Sequence, residues 1–402
     1  MKHVLILGDG MADYPLEQLD NKTPLQYAKK PNIDFLAQNA EVGMVQTVPK
    51  NLLPGSDVAN LSVMGYNPEL YYTGRSPLEA VSMGLKLSNT DVTLRCNLVT
   101  LSDNQEYQNK TIVDHSSDEI SSEEAKELIE ELNKHFKTDE ICFYPGISYR
   151  HCVVWNNGLT DLNITPPHDI LDRKIASYLP DNKMILDMMI KSYDILKDHP
   201  INKERISKGL NPANSIWLWG EGKKPSIPSF YDMYKVQGSV ISAVDLIKGI
   251  GILSGLNSVE VEGATGNIHT NFKGKALAAL EELESGRDFV YVHIEAPDEC
   301  GHRYEIENKV KSIELIDEQV VGTILKGLEK YDDYKLMILP DHPTPLSLRT
   351  HTSEPVPYLL YQKSCNKKSG VTGYDESQAK STNIFVDEGH KLMKHLILND
   401  KS

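Results

Sequence analysis

The 402-residue sequence predicts an α/β protein, with a mixed, mostly parallel sheet sandwiched by helices and interrupted by a smaller inserted α+β domain. Three observations predict it. Apolar runs at 3–7, 288–294 and 336–339 each lead within a few residues to an acid: Asp9, Asp298 and Asp341. Near-continuous apolar runs are how strands buried on both faces look, and ligands of such sheets gather beyond the strands' carboxyl ends. Long amphipathic stretches separate the runs, as crossover helices do. The composition then shifts in the middle of the chain. The expected core is therefore 1–85 with 230–402, and the expected insert is 86–229.

Composition narrows the function classes. The chain is long enough for two domains and a large core. It has no apolar run of membrane-spanning length. It opens directly on a strand, so no signal peptide is expected. Its five cysteines lack CxxC spacing, which argues against a disulfide framework or zinc knuckle and fits a reducing cytoplasm. A net charge of −15 argues against nucleic acid as partner. It also means that an anionic substrate needs a local positive site made of metals or placed arginines.

Taken in order, the first strand ends at Gly8-Asp9-Gly10, where glycine lets the backbone bend around the acid. Asp9 reads equally as a ligand or as a cap for the following helix. There is no GxGxxG, so a dinucleotide fold is not supported. Pro54-Gly55 makes a turn and puts Ser56 at the start of a helix. On local sequence alone a capping role is the simpler reading of Ser56. The alternative is a nucleophile, because a helix N-terminus favours an incoming phosphoryl group and metal contact activates a hydroxyl.

In the insert, 92–101 reads as a strand bearing Arg95, and Asp114-His115-Ser116 as a polar loop. Residues 121–136 and 181–198 read as amphipathic helices. Tyr149-Arg150-His151 leads into the apolar 152–155, residues 166–169 make a turn, and 216–220 is a short strand. Arg75, Arg95 and Arg150, with His115 and His151, are candidate anion binders, since the guanidinium fork matches phosphate and carboxylate. For any one arginine a surface role is the simpler reading.

Pro225 and Pro228 mark the return to the core. Residues 240–253, dense in Ile, Val and Leu, are expected to form a helix, as are 273–283, 310–328 and 386–398. Strands are expected at 288–295, 336–339 and 356–361. Asp298 and His302 are four apart, so one helical turn puts both on one face. His293, inside a strand, reads as a core histidine. Asp341-His342 follows the last apolar run, and His351 comes shortly after. Three strand-end carboxylates and three imidazoles suffice for two divalent metals beside Ser56, an arrangement suited to phosphoryl transfer.

The segments that carry these residues resemble the cofactor-independent phosphoglycerate mutases, in their shorter archaeal-type branch, within the alkaline phosphatase superfamily. They are Asp9-Gly10-Met11-Ala12-Asp13, Pro54 to Asn60, Gly74 to Ala80, Leu94-Arg95-Cys96-Asn97, Asp114-His115-Ser116, Tyr149-Arg150-His151, Ala243 to Gly251, Glu295 to His302 and Pro340 to Pro345. They follow one another over nearly the whole chain. The resemblance implies that Ser56 becomes phosphoserine. It implies that Asp298, His302 and His351 hold one metal, and that Asp9, Asp341, His342 and Ser56 hold the other. The ions would be manganese, zinc, magnesium or cobalt, without 2,3-bisphosphoglycerate. Arg75, Arg95 and Arg150 would grip a small phosphorylated acid, with Asp114, His115 and His151 nearby for proton transfer or positioning, and the insert would close over it. One departure is His269, where the family leads one to expect Asp. Other readings of the same residues are a homoserine kinase-like phosphotransferase and a metal-dependent phosphatase or phosphodiesterase. The sequence sets no oligomeric state.

Overall fold

The computed structural model describes residues 1–103, 106–162, 164–365 and 367–398. In chain order the strands are β1 (Lys2–Gly8), β2 (Glu41–Val45), β3 (Asp91–Leu101), β4 (Ile112–Asp114), β5 (Ile141–Tyr144), β6 (Arg150–Asn156), β7 (Ser215–Lys223), β8 (Gly238–Ile241), β9 (Asn257–Val259), β10 (Phe289–Ile294), β11 (Tyr334–Leu339), β12 (Val356–Gln362) and β13 (Phe385–Val386). The chain divides into two compact units, Met1–Tyr72 with Ile227–Ser402, and Thr73–Ser226.

The first unit is built on an eight-stranded sheet of order β13-β2-β12-β11-β1-β10-β8-β9. β1 runs parallel to both β10 and β11, and β8 and β9 continue the parallel run, while β12 is antiparallel to both its neighbours. Every residue of β10 and β11 is buried, as a strand covered on both faces requires. Alternate residues Val4, Ile6, Val290, Val292, Leu336 and Ile338 pack with Ile33, Ala276, Ile313 and Ile324 from helices on one face. The Tyr291 face carries the helices Ser56–Val63 and Asp245–Leu253, the first tied on by the Tyr291 hydroxyl donating to Asn60 Oδ1 at 2.7 Å. The architecture is the mostly parallel, helix-covered sheet expected from the apolar runs.

The second unit has its own antiparallel sheet, β4-β3-β6-β5, with β7 also paired to β3. The helices Ser122–Phe136 and Lys183–Leu196 lay their apolar sides on it, burying Leu128, Ile129, Leu132, Ile185 and Met189 among Leu94, Leu98 and Leu218. Its border falls after Tyr72 rather than after residue 85. The reason is the short helix Ser76–Ser82, which packs on β3 and β7.

Three sequence-based elements change. Residues 240–253 are not one helix: Val240 and Ile241 complete β8 alongside β10, and the helix begins only at Asp245. The break is held by the Ser242 hydroxyl accepting the Val244 N–H at 2.9 Å. The stretch 310–328 is helical from Ile306, but Ile316–Val321 is a π segment. The closing helix spans only Leu392–Ile397, because Phe385–Val386 adds to the sheet as β13 beside β2. No helix among the described residues is long and apolar enough to cross a membrane.

Candidate active site

β1, β10 and β11 are neighbours, so their carboxyl ends bring Asp9, the helix Ala296–Arg303 and Asp341-His342 together. Gly10 takes φ +60°, the left-handed region where glycine carries no penalty. Its N–H donates to Asp341 Oδ1 at 3.1 Å, and a Cβ there would lie 2.7 Å from Asp298 Oδ1.

Ser56 is not the helix cap. Gly55 occupies that place, and Ser56 is the first helical residue. Its hydroxyl lies 3.1 Å from His342 Nε2. Four residues along the same helix, Asn60 Nδ2 donates to the Ser56 carbonyl (2.9 Å) and to Asp341 Oδ2 (2.7 Å), so one amide registers Ser56 against that carboxylate.

Two groups of donors converge. Asp9, Asp341 and His342 offer ligand atoms that all lie within 4.8 Å of one another, and so do Asp298, His342 and His351. His302 joins the second group, with Nε2 at 3.2 Å from Asp298 Oδ2 and 2.9 Å from His351 Nε2. His302 Nδ1 faces the Arg349 carbonyl at 3.0 Å. A carbonyl only accepts, so Nδ1 carries the proton and a neutral His302 turns its Nε2 lone pair to the cluster.

Burial, then the charges of Asp341 and Asp298, push the Asp9 carboxyl well above the usual range. Asp9 Oδ1 is buried and has no hydrogen bond among the described residues. Burial opposes ionisation of Asp298 too, but the bonds from His302 and His351 outweigh it and hold that carboxyl well below the usual range. His302 is raised to about 9, chiefly by Asp298, whereas burial depresses His342. Crowded carboxylates, an orphaned carboxylate oxygen and a His302 imidazole pulled toward its charged form make a cluster that draws positive charge. Their chemistry fits divalent cations bound by oxygen and nitrogen.

Sequence reasoning placed His293 in the core, and it is buried, but its edge faces the site. Nε2 lies 2.9 Å from Asp9 Oδ2, and Nδ1 lies 3.1 Å from the Ser242 hydroxyl. Burial pushes the His293 imidazole well below its ordinary value; against an ionised Asp9 its Nε2 donates and its Nδ1 accepts from Ser242. Asn60, Tyr291 and Thr344 were also missed as site residues. The available signals were the i+4 spacing of Asn60 from Ser56 and the position of Thr344 two residues past His342.

In the second unit Glu79 gathers the arginines. Arg75 Nε donates to its Oε1 at 2.7 Å and Arg95 Nε to its Oε2 at 2.9 Å. Burial opposes its ionisation, but Arg95 and Arg75 hold the carboxyl below its ordinary value. The Arg95 guanidinium lies 4.2 Å from the Trp219 ring centroid, a cation–π contact. Trp219 Nε1 donates to Asn97 Oδ1 (3.0 Å), and Asn97 Nδ2 donates to the His115 carbonyl (3.2 Å). His115 packs edge-on against Tyr149 and His168. Register puts Arg95, Asn97 and Arg150 on one face of the sheet. His151 lies on the other face, buried, with Nδ1 accepting from Gly146 N–H at 3.0 Å, and desolvation lowers it to about 3. The structure therefore does not bring His151 to the arginines. Asp114 is saturated by Ser116, Asp118 and Asn211, which makes it the organiser of its own turn. Exposed His269 donates its backbone N–H to Asn267 Oδ1 at 2.9 Å.

Residues 37–202 match the family model described as 2,3-bisphosphoglycerate-independent phosphoglycerate mutase. The chain is 48% identical, over 99% of its length and 100% of the relative's, to a probable 2,3-bisphosphoglycerate-independent phosphoglycerate mutase of Geobacter sulfurreducens. It is 45% identical to that of Methanosarcina barkeri, over 99% of each chain. A solved structure of a Pyrococcus horikoshii protein superposes with a TM-score of 0.81 at 28% identity, covering 98% of this chain and 97% of that one. With full-length identity at this level, the chain belongs to the archaeal-type family of 2,3-bisphosphoglycerate-independent phosphoglycerate mutases.

Proposed function

We propose that this chain interconverts 3-phosphoglycerate and 2-phosphoglycerate by passing the phosphoryl group through Ser56. The observation that carries the reading is the Ser56 hydroxyl set against His342 Nε2 at the meeting point of two groups of acidic and imidazole donors. Asp9, Asp341 and His342 would hold one cation beside Ser56, and Asp298, His302 and His351 the other. Bound divalent ions supply the positive charge this cluster lacks, which favours the serine alkoxide and offsets charge on the transferring phosphoryl group.

The chain's own groups do the rest. Asn60 and the helix start fix the Ser56 backbone, and His293 and Asn60 orient the carboxylates on either side of it. In the first half-reaction the Ser56 Oγ–P bond forms as the ester bond to the glycerate C3 oxygen breaks. In the second the C2 hydroxyl takes the group back and Ser56 is regenerated. Retention of glycerate separates a mutase from a phosphatase. For that step Arg75, Arg95 and Arg150 are the binding groups for the substrate's carboxylate and phosphate. His115, walled by Tyr149 and His168, is the accompanying imidazole.

An enolase-coupled assay on Mn²⁺-reconstituted protein, without 2,3-bisphosphoglycerate, tests this. Turnover of 3-phosphoglycerate is expected, with a loss of at least about 10³-fold in Ser56→Ala, the scale seen when a covalent nucleophile is removed. Inert 3-phosphoglycerate together with ATP-dependent phosphorylation of homoserine would reject the mutase reading. Release of inorganic phosphate and glycerate would reject it in favour of a phosphatase.

A further inference from the structure

Thr344 sits two residues past His342. Its hydroxyl is 2.5 Å from Asp298 Oδ1 and 3.3 Å from His342 Nδ1. An ionised carboxylate only accepts, so the hydroxyl donates to Asp298, and its lone pair receives the N–H of His342 Nδ1. That pattern selects the His342 tautomer whose Nε2 is bare, and Nε2 is the atom facing Ser56. One hydroxyl thus orients a donor from each of the two groups.

The rest of the residue is pinned to match. The Thr344 N–H donates to the Ala12 carbonyl at 3.2 Å, on the segment that carries Asp9. Its carbonyl accepts Lys309 Nζ at 2.7 Å, and the same ammonium pairs with Asp13 Oδ2 at 2.7 Å. Neither Lys309 nor Asp13 exposes any of its side chain. Asp13 also receives the Leu346 N–H, which closes the loop on the far side. A Cβ on Gly10 would strike the Thr344 hydroxyl, and one on Gly301 would lie 2.6 Å from its carbonyl oxygen. The segments bearing Asp9 and Asp298 therefore both close on this residue, at a distance glycine alone allows.

We propose that Thr344 is a positioning residue that links the two cation sites through the His342–Thr344–Asp298 hydrogen bonds, with Lys309 and Asp13 holding its backbone. This rests on the two-cation reading above. Outer groups that orient metal ligands are worth about 10- to 100-fold in metal affinity, and here a single group serves both sites.

The test is calorimetric titration of the metal-stripped full-length chain with Mn²⁺. The wild type is expected to bind two ions. Thr344→Val, which keeps the shape and loses the hydroxyl, is expected to weaken both by about 10- to 100-fold, and Thr344→Ser to restore them. Thr344→Val binding both ions as tightly as wild type would overturn the proposal, and so would weakening of one site alone. Wild type binding no Mn²⁺ would overturn the two-cation reading and this proposal with it. A measurement that needs no variant is the ¹⁵N–¹H correlation of the His342 ring. A proton on Nδ1 supports the linkage, and a proton on Nε2 with a bare Nδ1 overturns it.

Discussion

At the scale of single residues, the candidate cation ligands were legible and their supports were not. Asp9, Asp298, Asp341, His342 and His351 stand out as candidates because acids and imidazoles follow apolar runs, although Asp9 taken alone reads equally as a helix cap. His293 and Thr344 do not, because a histidine inside a strand and a threonine in a loop are ordinary there. Their roles arise only when residues far apart in sequence meet. Glu376 is another case. Its carboxylate accepts the Asp13 N–H (3.2 Å) and the Thr23 hydroxyl (2.7 Å), and burial pushes it up to about 7. A carboxyl raised on folding adds stability that is complete below its unfolded value and is lost as pH rises to the folded one. Urea unfolding is therefore expected to show the wild type losing about 1–3 kcal/mol between pH 4.5 and 7 relative to Glu376→Gln. Parallel pH profiles for the two proteins would show that the group is not raised.

At the scale of elements, what could be read depended on contrast. The amphipathic helix Ser122–Phe136 was legible because polar and apolar residues alternate with helical period, and Ser121 caps it by accepting the Glu124 N–H at 3.2 Å. The run 240–253 lacked that contrast. A stretch this rich in Val, Ile and Leu fits a buried strand or a buried helix equally, and only the neighbouring β10 decides that its first residues are strand. The π segment was equally silent, yet it has a purpose in packing. Asp317 within it caps another helix, Pro31–Gln38, whose own cap residue Lys30 makes no side-chain capping bond. Its Oδ1 accepts the Ile33 N–H at 2.7 Å and its Oδ2 accepts Asn32 Nδ2 at 2.9 Å. Asp317→Ala is expected to lower stability by about 1–2 kcal/mol, the value of a lost N-cap, read from the urea midpoint. An unchanged midpoint would mean that the helix start needs no outside acceptor.

At the scale of the whole molecule, the candidate cation ligands lie in the first unit and the arginine cluster lies in the second. Two units were legible from the composition shift, but the border was not, because the helix Ser76–Ser82 continues a core-like sequence while packing on β3 and β7. Mn²⁺ bound by the folded chain and not by the unfolded one stabilises it by mass action, about 2.7 kcal/mol per site at 100 times the dissociation constant. Scanning calorimetry is expected to show an upward shift with Mn²⁺ that shrinks in Asp298→Asn, and equal shifts in both proteins would place the ions elsewhere. The position of β1 has a further consequence, one of timing. It leaves the ribosome well ahead of both its sheet partners, which lie beyond residue 288. At about 5–20 residues per second, this apolar strand waits roughly 15–60 s for a neighbour, while residues 73–226 emerge with all their own strands. The nascent chain thus carries its future centre unpaired until β10 emerges, and β2 waits longer still, for β12. The candidate cation ligands are complete only once His351 has followed.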